Sequence, residues 1–256
     1  MRGRRPLRTA LALAALALTV GACGERPAER LEVVVLAQHP HDRFAFTQGL
    51  LEADGYLYES TGLVGRSSLR QVELATGEVV RGRSVPAPYF AEGLERVGDE
   101  LWQLTWRSGV LFRYDLETFE PLGELRYEGE GWGLCFDGEA LWMTDGSATL
   151  FQRDPATFEV RRSVTVSLDG KPLPRLNELE CVEGKVYANV WLSDEIVRID
   201  PASGRVEAVI DASPLRRSLG ITDRDAVLNG IAYDAGRGVF FVTGKLWPAL
   251  FEVRFE

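Results

Sequence analysis

Five residues able to move a proton, donate a hydrogen bond or present a π face recur at regular places in this chain. Gln48, Glu92, Trp132, Asn177 and Asn229 each open a short word, usually followed by Gly and then an aliphatic side chain. Seven or eight residues later comes a second aliphatic, with an aromatic behind it: Leu57-Tyr58, Leu101-Trp102, Leu141-Trp142, Val186-Tyr187 and Val239-Phe240. One carboxylate among amides and an indole could transfer a proton and hold a polarised oxygen by hydrogen bonds. It is a poor grip for a cation, because only Glu92 of the five is acidic. That counts against a metal-dependent propeller lactonase, which needs several converging carboxylates. The 2 histidines, His39 and His41, both precede the first anchor. A zinc site of His and carboxylates, or a Ser-His-Asp triad, is therefore not readily built, and His39-Pro40-His41-Asp42 reads as a loop. No Gly-rich nucleotide loop of the required form is present. No metal and no cofactor are expected.

These anchors need a scaffold that brings distant residues together. Their spacings are 44, 40, 45 and 52 residues. Each interval has room for two hairpins, hence four strands, the length of one propeller blade. The outer halves repeat as well. Phe112-Arg113-Tyr114-Asp115, Phe151-Gln152-Arg153-Asp154 and Val197-Arg198-Ile199-Asp200 each read as a third strand running into an Asx or ST turn. The last repeat stops after its third strand, Leu250 to Phe255, while Leu31 to Ala37 is a strand without a partner. Pairing the two closes the ring and removes both exposed edges. The expectation is an all-β, five-bladed β-propeller over residues 31–256, a single domain whose N-terminal strand completes the last blade. In such a ring the innermost strands run along a central channel and their starts converge at one mouth. Polar anchors there could serve catalysis, or only satisfy strand ends around a wet channel in a propeller that binds peptides. The pattern alone does not choose.

The chain begins like an export signal. Arg2, Arg4, Arg5 and Arg8 precede an apolar stretch from Thr9 to Val20, too short to span a bilayer, and then Gly21-Ala22-Cys23. Small residues before a lone Cys suit a bacterial lipoprotein, with residues 1–22 removed, Cys23 lipidated and residues 23–30 a tether. The expected location is periplasmic or cell-envelope, with a membrane tether through Cys23. Removal of four Arg and no acid changes the net charge from −9 to −13. So acidic a chain does not suit nucleic acid and favours substrates bearing an α-ammonium. Cys135 and Cys181 stand three and four positions after their anchors. That offset puts them on opposite strand faces, so two buried free thiols are expected and not a disulfide.

Eight words narrow the choice. They are Phe46-Thr47-Gln48-Gly49-Leu50, Phe90-Ala91-Glu92-Gly93-Leu94, Leu104-Thr105-Trp106, Gly131-Trp132-Gly133-Leu134, Leu176-Asn177-Glu178-Leu179-Glu180, Tyr187-Ala188-Asn189-Val190-Trp191, Leu228-Asn229-Gly230-Ile231-Ala232-Tyr233 and Thr243-Gly244-Lys245-Leu246-Trp247-Pro248. In composition and order they resemble the plant and bacterial type of glutaminyl cyclase, across roughly residues 31–256. The resemblance implies a five-bladed propeller that cyclises N-terminal glutamine to pyroglutamate with release of ammonia, acting on peptides as a monomer. It implies Glu92, Asn177, Lys245 and Gln48 as catalytic residues. Phe46, Trp106, Trp132 and Trp191 would bind substrate. Glu92 would move the proton, with Glu180 the second candidate.

Overall fold

The computed structural model describes residues 26–256; Cys23 and the signal-like residues before it lie outside them. Strand β1 (Glu29–Pro40) comes first. Blade 1 is β2 (Thr47–Ala53), β3 (Tyr56–Thr61), β4 (Ser68–Glu73) and β5 (Val79–Ser84), and blade 2 is β6 (Ala91–Val97), β7 (Glu100–Thr105), β8 (Val110–Asp115) and β9 (Pro121–Arg126). Blade 3 is β10 (Leu134–Phe136), β11 (Leu141–Met143), β12 (Thr149–Arg153) and β13 (Val160–Thr165). A small hairpin, β14 (Ser167–Leu168) and β15 (Lys171–Pro172), leads to blade 4: β16 (Leu176–Val182), β17 (Lys185–Val190), β18 (Glu195–Asp200) and β19 (Arg205–Asp211). After a short helix α1 (Ser213–Ser218), blade 5 has β20 (Leu228–Asp234), β21 (Val239–Gly244) and β22 (Ala249–Phe255).

The ring closes as the sequence predicts. Strand β1 pairs antiparallel with β22, from Val33 opposite Phe255 to Pro40 opposite Ala249. It begins two residues earlier than expected, because Glu29 to Glu32 also pair in parallel with β19. That second pairing joins blades 4 and 5 into one continuous sheet. The inner strands β2, β6 and β16 are buried over most of their length while the outer strands β5, β9 and β13 are largely exposed. Apolar side chains between blades form the core, as in the cluster of Leu51, Tyr58, Leu69, Leu94, Leu101 and Phe119.

Two local features aim the anchors. In four blades the innermost pair slips register at the anchor: between Thr47 and Gly49, Ala91 and Leu94, Leu176 and Leu179, and Leu228 and Ile231. A bulge there turns a side chain out of the regular alternation. The Gly that follows is required by close approach. A Cβ on Gly49 would lie 2.4 Å from the Leu94 backbone nitrogen, and one on Gly133 2.1 Å from the Asn177 carbonyl. In blade 4, Glu178 replaces that Gly. Its buried carboxylate accepts backbone N–H bonds from Leu50 (3.2 Å) and Ile231 (2.8 Å), stapling blade 4 to blades 1 and 5.

One expectation fails. Cys135 and Cys181 form a disulfide, with Cα atoms 5.5 Å apart. The one-residue offset does put them on opposite faces of the repeat: Cys135 lies opposite Trp142 in its blade, Cys181 opposite Val186 in the next. Propeller blades, however, pack face to face, so the face one blade shows the next is opposite to the face it receives. Opposite faces are what bring the two thiols together.

Candidate active site

One cavity of about 370 Å³ opens at the mouth of the channel, and its wall includes Phe46, Gln48, Glu92, Trp106, Trp132, Asn177, Trp191 and Lys245. The eight residues that the resemblance implies thus share one space. Three of them occupy the same place in the repeat. Trp106, Trp191 and Lys245 each follow the second strand of a blade. In each case the backbone N–H donates to the carbonyl two residues before the anchor: Trp106 to Phe90 (2.9 Å), Trp191 to Arg175 (2.8 Å) and Lys245 to Val227 (2.9 Å). Gly62 makes the same bond to Phe46 in blade 1. A side chain at Gly62 would meet the Phe90 ring at 2.4 Å, so its Gly makes room for an aromatic wall.

The polar side of the cavity is a chain of hydrogen bonds among buried groups. Asn229 Nδ2 donates to the Thr47 carbonyl (2.9 Å) and to Gln48 Oε1 (3.4 Å), and Gln48 Nε2 donates to Glu92 Oε1 (3.3 Å). Asn229 is fully buried behind Gln48 and is not part of the cavity wall. The fifth anchor therefore orients another anchor instead of facing the cavity. Asn177 is buried in the cavity wall and its Oδ1 has no partner in the protein. Burial pushes Glu92 well above the usual carboxylate range; the Lys245 charge opposes this and Glu130 adds to it. Burial likewise pushes Lys245 down to about 8, against the pull of Glu92 and Asp225. The Lys245 Nζ sits 4.8 Å from the centroid of Phe46. Each group thus lies closer to neutrality than it would in water, a state suited to proton exchange near neutral pH.

The apolar side is aromatic. Phe46 and Phe90 meet edge to face at 6.2 Å, Phe90 and Trp106 lie 5.6 Å apart, and Trp132 and Trp191 meet edge to face at 5.6 Å. The model of the glutamine cyclotransferase family matches residues 8–255. The chain belongs to that family. It is 44% identical over 230 residues to a glutaminyl-peptide cyclotransferase of Arabidopsis thaliana, covering 88% of this chain and 72% of the relative. The crystal structure of Myxococcus xanthus glutaminyl cyclase superposes with a TM-score of 0.85 at 43% identity, covering 90% of this chain and 99% of that one.

Within the family fold, some residues take places the sequence reading did not assign. Glu180 lies further along β16, opposite Tyr187, outside the cavity wall; burial raises it well above its usual range. Phe90, Arg107, Leu192, Arg224 and Asp225 do line the cavity. Phe90 was legible, since it stands two residues before its anchor as Phe46 does. The rim charges carry no local signal. His41, read as part of a loop, is a buried link. Its Nδ1 lies 2.7 Å from the Trp247 carbonyl and its Nε2 3.1 Å from Glu59 Oε1, which also accepts from Thr47 Oγ1 at 2.7 Å.

Proposed function

We propose that this protein is a glutaminyl-peptide cyclotransferase that closes the N-terminal glutamine of peptides to pyroglutamate, with Glu92 moving the proton. The observation that carries this reading is Glu92 itself: one buried carboxylate, raised well above its usual range, in an aromatic-walled cavity with Lys245, Asn177 and Gln48. The reaction joins the α-amine nitrogen to the side-chain carboxamide carbon and expels that amide nitrogen as ammonia. Nucleophile and electrophile belong to one residue, so the cavity's first task is to hold the folded conformer. The rings of Trp106, Trp132, Trp191 and Phe46 exclude water and receive the α-ammonium over their π faces. Glu92 takes a proton from the attacking amine, and its raised affinity narrows the gap to an α-ammonium. It then delivers that proton to the departing nitrogen. Lys245, Asn177 and the Gln48 amide are the donors available to the oxyanion that forms as the ring closes.

The reaction so drawn needs no metal. The cavity wall offers Glu92 and the rim Asp225, and no group of three His, Cys, Asp or Glu suited to a metal occurs among the described residues. Activity is expected to survive prolonged treatment with a strong zinc chelator. The same reading has residues 1–22 directing export, Cys23 lipidated as a membrane tether, and a monomer acting in the cell envelope. The Cys135–Cys181 disulfide supports export, because such bonds persist in oxidising compartments. Wild-type protein expressed in a bacterium should enter the detergent phase, and Cys23→Ser should not.

The deciding experiment is ammonia release, with matching mass loss, from a short Gln-initiated peptide and purified protein. Binding of that peptide without ammonia release would overturn the catalytic reading in favour of a peptide-binding propeller.

A further inference from the structure

Glu130 accepts three side-chain hydrogen bonds from residues of the cavity wall, and nothing in the proposed proton transfer uses it. It stands two residues before the anchor Trp132, the place that Phe46 and Phe90 hold in blades 1 and 2. Its Oε2 accepts both indole N–H groups of the neighbouring wall, Trp106 Nε1 at 2.7 Å and Trp132 Nε1 at 3.0 Å. Its Oε1 accepts Arg107 Nε at 2.8 Å. The Arg107 guanidinium in turn lies over the Trp106 ring, 3.8 Å from its centroid. Trp106 belongs to the turn after β7 and Trp132 to the segment before β10, so the carboxylate ties blade 2 to blade 3 across the pocket wall.

An indole N–H is a donor only. Two of them pointing at one place need an acceptor with spare lone pairs, and a third donor on the same group needs a second oxygen. Only a carboxylate meets all three at once. A Gln there has one acceptor oxygen and would turn an N–H of its own toward a donor. The bonds are charge-assisted, so they set geometry as well as energy. Glu130 also acts at a distance. The charged groups acting on Glu92 are Lys245, which favours its ionised form, and Glu130, which opposes it.

We propose that Glu130 is the positioning residue of this site, clamping Trp106 and Trp132 as one wall of the cavity and holding a negative charge beside it. This rests on the cyclotransferase reading for its catalytic consequence, but the clamp itself is independent of that reading. Arg107 completes the clamp and caps the Trp106 face at the rim.

The test compares wild type with Glu130→Gln, Glu130→Ala and Arg107→Ala. The Glu130 side chain is about one-third exposed, 34%, so these variants should fold. Trp102, Trp142 and Trp247 are almost fully buried, while the three cavity indoles are half-buried. Acrylamide quenching of tryptophan emission therefore reports chiefly on the cavity. Both Glu130 variants should quench more readily than wild type through both indoles, whereas Arg107→Ala, which keeps the indole bonds but uncovers the Trp106 face, should change only the Trp106 share. On a Gln-initiated peptide, Glu130→Gln should raise KM by about 10-fold or more, as for loss of a charge-assisted hydrogen bond, with a smaller change in kcat. The inflection of kcat/KM that belongs to Glu92 should move to lower pH, because a repelling charge is gone. A merely structural role would not move that inflection. Quenching equal to wild type in both Glu130 variants would overturn the clamp, whatever the activity. Altered quenching with KM and the pH inflection unchanged would overturn its part in the reaction. If wild type itself releases no ammonia, the cyclotransferase reading and the catalytic role of the clamp fall together, and the quenching arm still decides the clamp.

Discussion

Glu92 and Lys245 are each pushed toward neutrality by burial and pulled back by the other's charge. No ion pair within 4 Å joins them among the described residues, so neither is locked as a salt bridge. On the proposed mechanism, this leaves Glu92 free to trade a proton with substrate. Glu92→Gln keeps the shape and the contact with Gln48 but loses the titrating group. Its kcat should fall by about 10² or more, with KM changed only a few-fold, as steady-state ammonia release would show. Lys245 gives a different signature. As a cationic donor it loses its charge when pH rises through about 8. The kcat profile of wild type should decline on the alkaline side near that value. In Lys245→Arg the guanidinium stays charged, so the decline should move to higher pH even if kcat is lower throughout. An alkaline limb that stays in place in the Arg variant would remove Lys245 from the oxyanion role.

At the scale of strands and turns, the site depends on short connections that hold long side chains in place. Gly146, in the turn after β11, has φ of +81°, and a Cβ there would lie 2.7 Å from the Trp132 indole. Gly146→Ala should therefore strain the turn and displace the ring. We expect a loss of about 1 kcal/mol or more in denaturant unfolding together with a raised KM. The His41 link works across elements: it joins the segment leading into β2, which carries Phe46 and Gln48, to the Lys245–Trp247 turn after β21. Burial alone would lower the His41 pKa, but the Glu59 carboxylate and the Trp247 carbonyl more than offset this and raise it. Glu59 behaves conversely: burial would raise it, yet His41, Arg70 and Thr47 hold it below its usual value. A raised His pKa stabilises the fold fully below the unfolded value of 6.5 and less as pH rises through the folded one. The Glu59 contribution is present above 4.5 and is lost as pH falls through its lowered value. Thermal stability should thus decline above pH 6.5 in wild type. His41→Ala should flatten that decline and cost about 3 kcal/mol, since it leaves a buried carboxylate short of its partner. A Tm profile with the same slope in both proteins would show that the pair does not couple to folding.

Over the whole molecule, the ring is held at several places by different means. β1 closes it through backbone pairing to β22 and to β19. Glu178 ties blade 4 across the channel to blades 1 and 5. The Cys135–Cys181 disulfide joins blades 3 and 4 covalently, with a sequence separation of 46 residues. Constraining a loop of that length in the unfolded chain should contribute roughly 2–4 kcal/mol. A Cys135→Ala, Cys181→Ala protein should lose about that much in denaturant unfolding, and wild type should become less stable under reducing conditions. Because neither sulfur lines the cavity, kcat and KM of the folded double variant should stay near wild type. A reductant-insensitive unfolding midpoint would count against the bridge.

Phe46, Trp106, Trp191 and Lys245 were expected from the family resemblance, whereas the number of blades, the closure by the N-terminal strand and the cavity anchors Gln48, Glu92, Trp132 and Asn177 were legible in the residues alone. Those features follow from local rules: alternation along a strand, turn chemistry at each hairpin, and repetition of one word every 40 to 52 residues. A ring then carries like positions to one mouth without further information. The tertiary structure decided what depends on how unlike surfaces meet. Asn229 ends up behind Gln48, where its amide finds acceptors in the Thr47 carbonyl and Gln48 Oε1, far away along the chain. Cys135 and Cys181 meet because blades pack on opposite faces, a relation that a strand-face argument reads the wrong way round. Glu130 joins two indoles whose turns lie 24 and 2 residues away. His41 and Glu59 find each other beside Trp247, 206 residues along the chain from His41. Hydrogen bonds and sulfur bridges act over a few ångströms in space, and sequence records only separation along the chain.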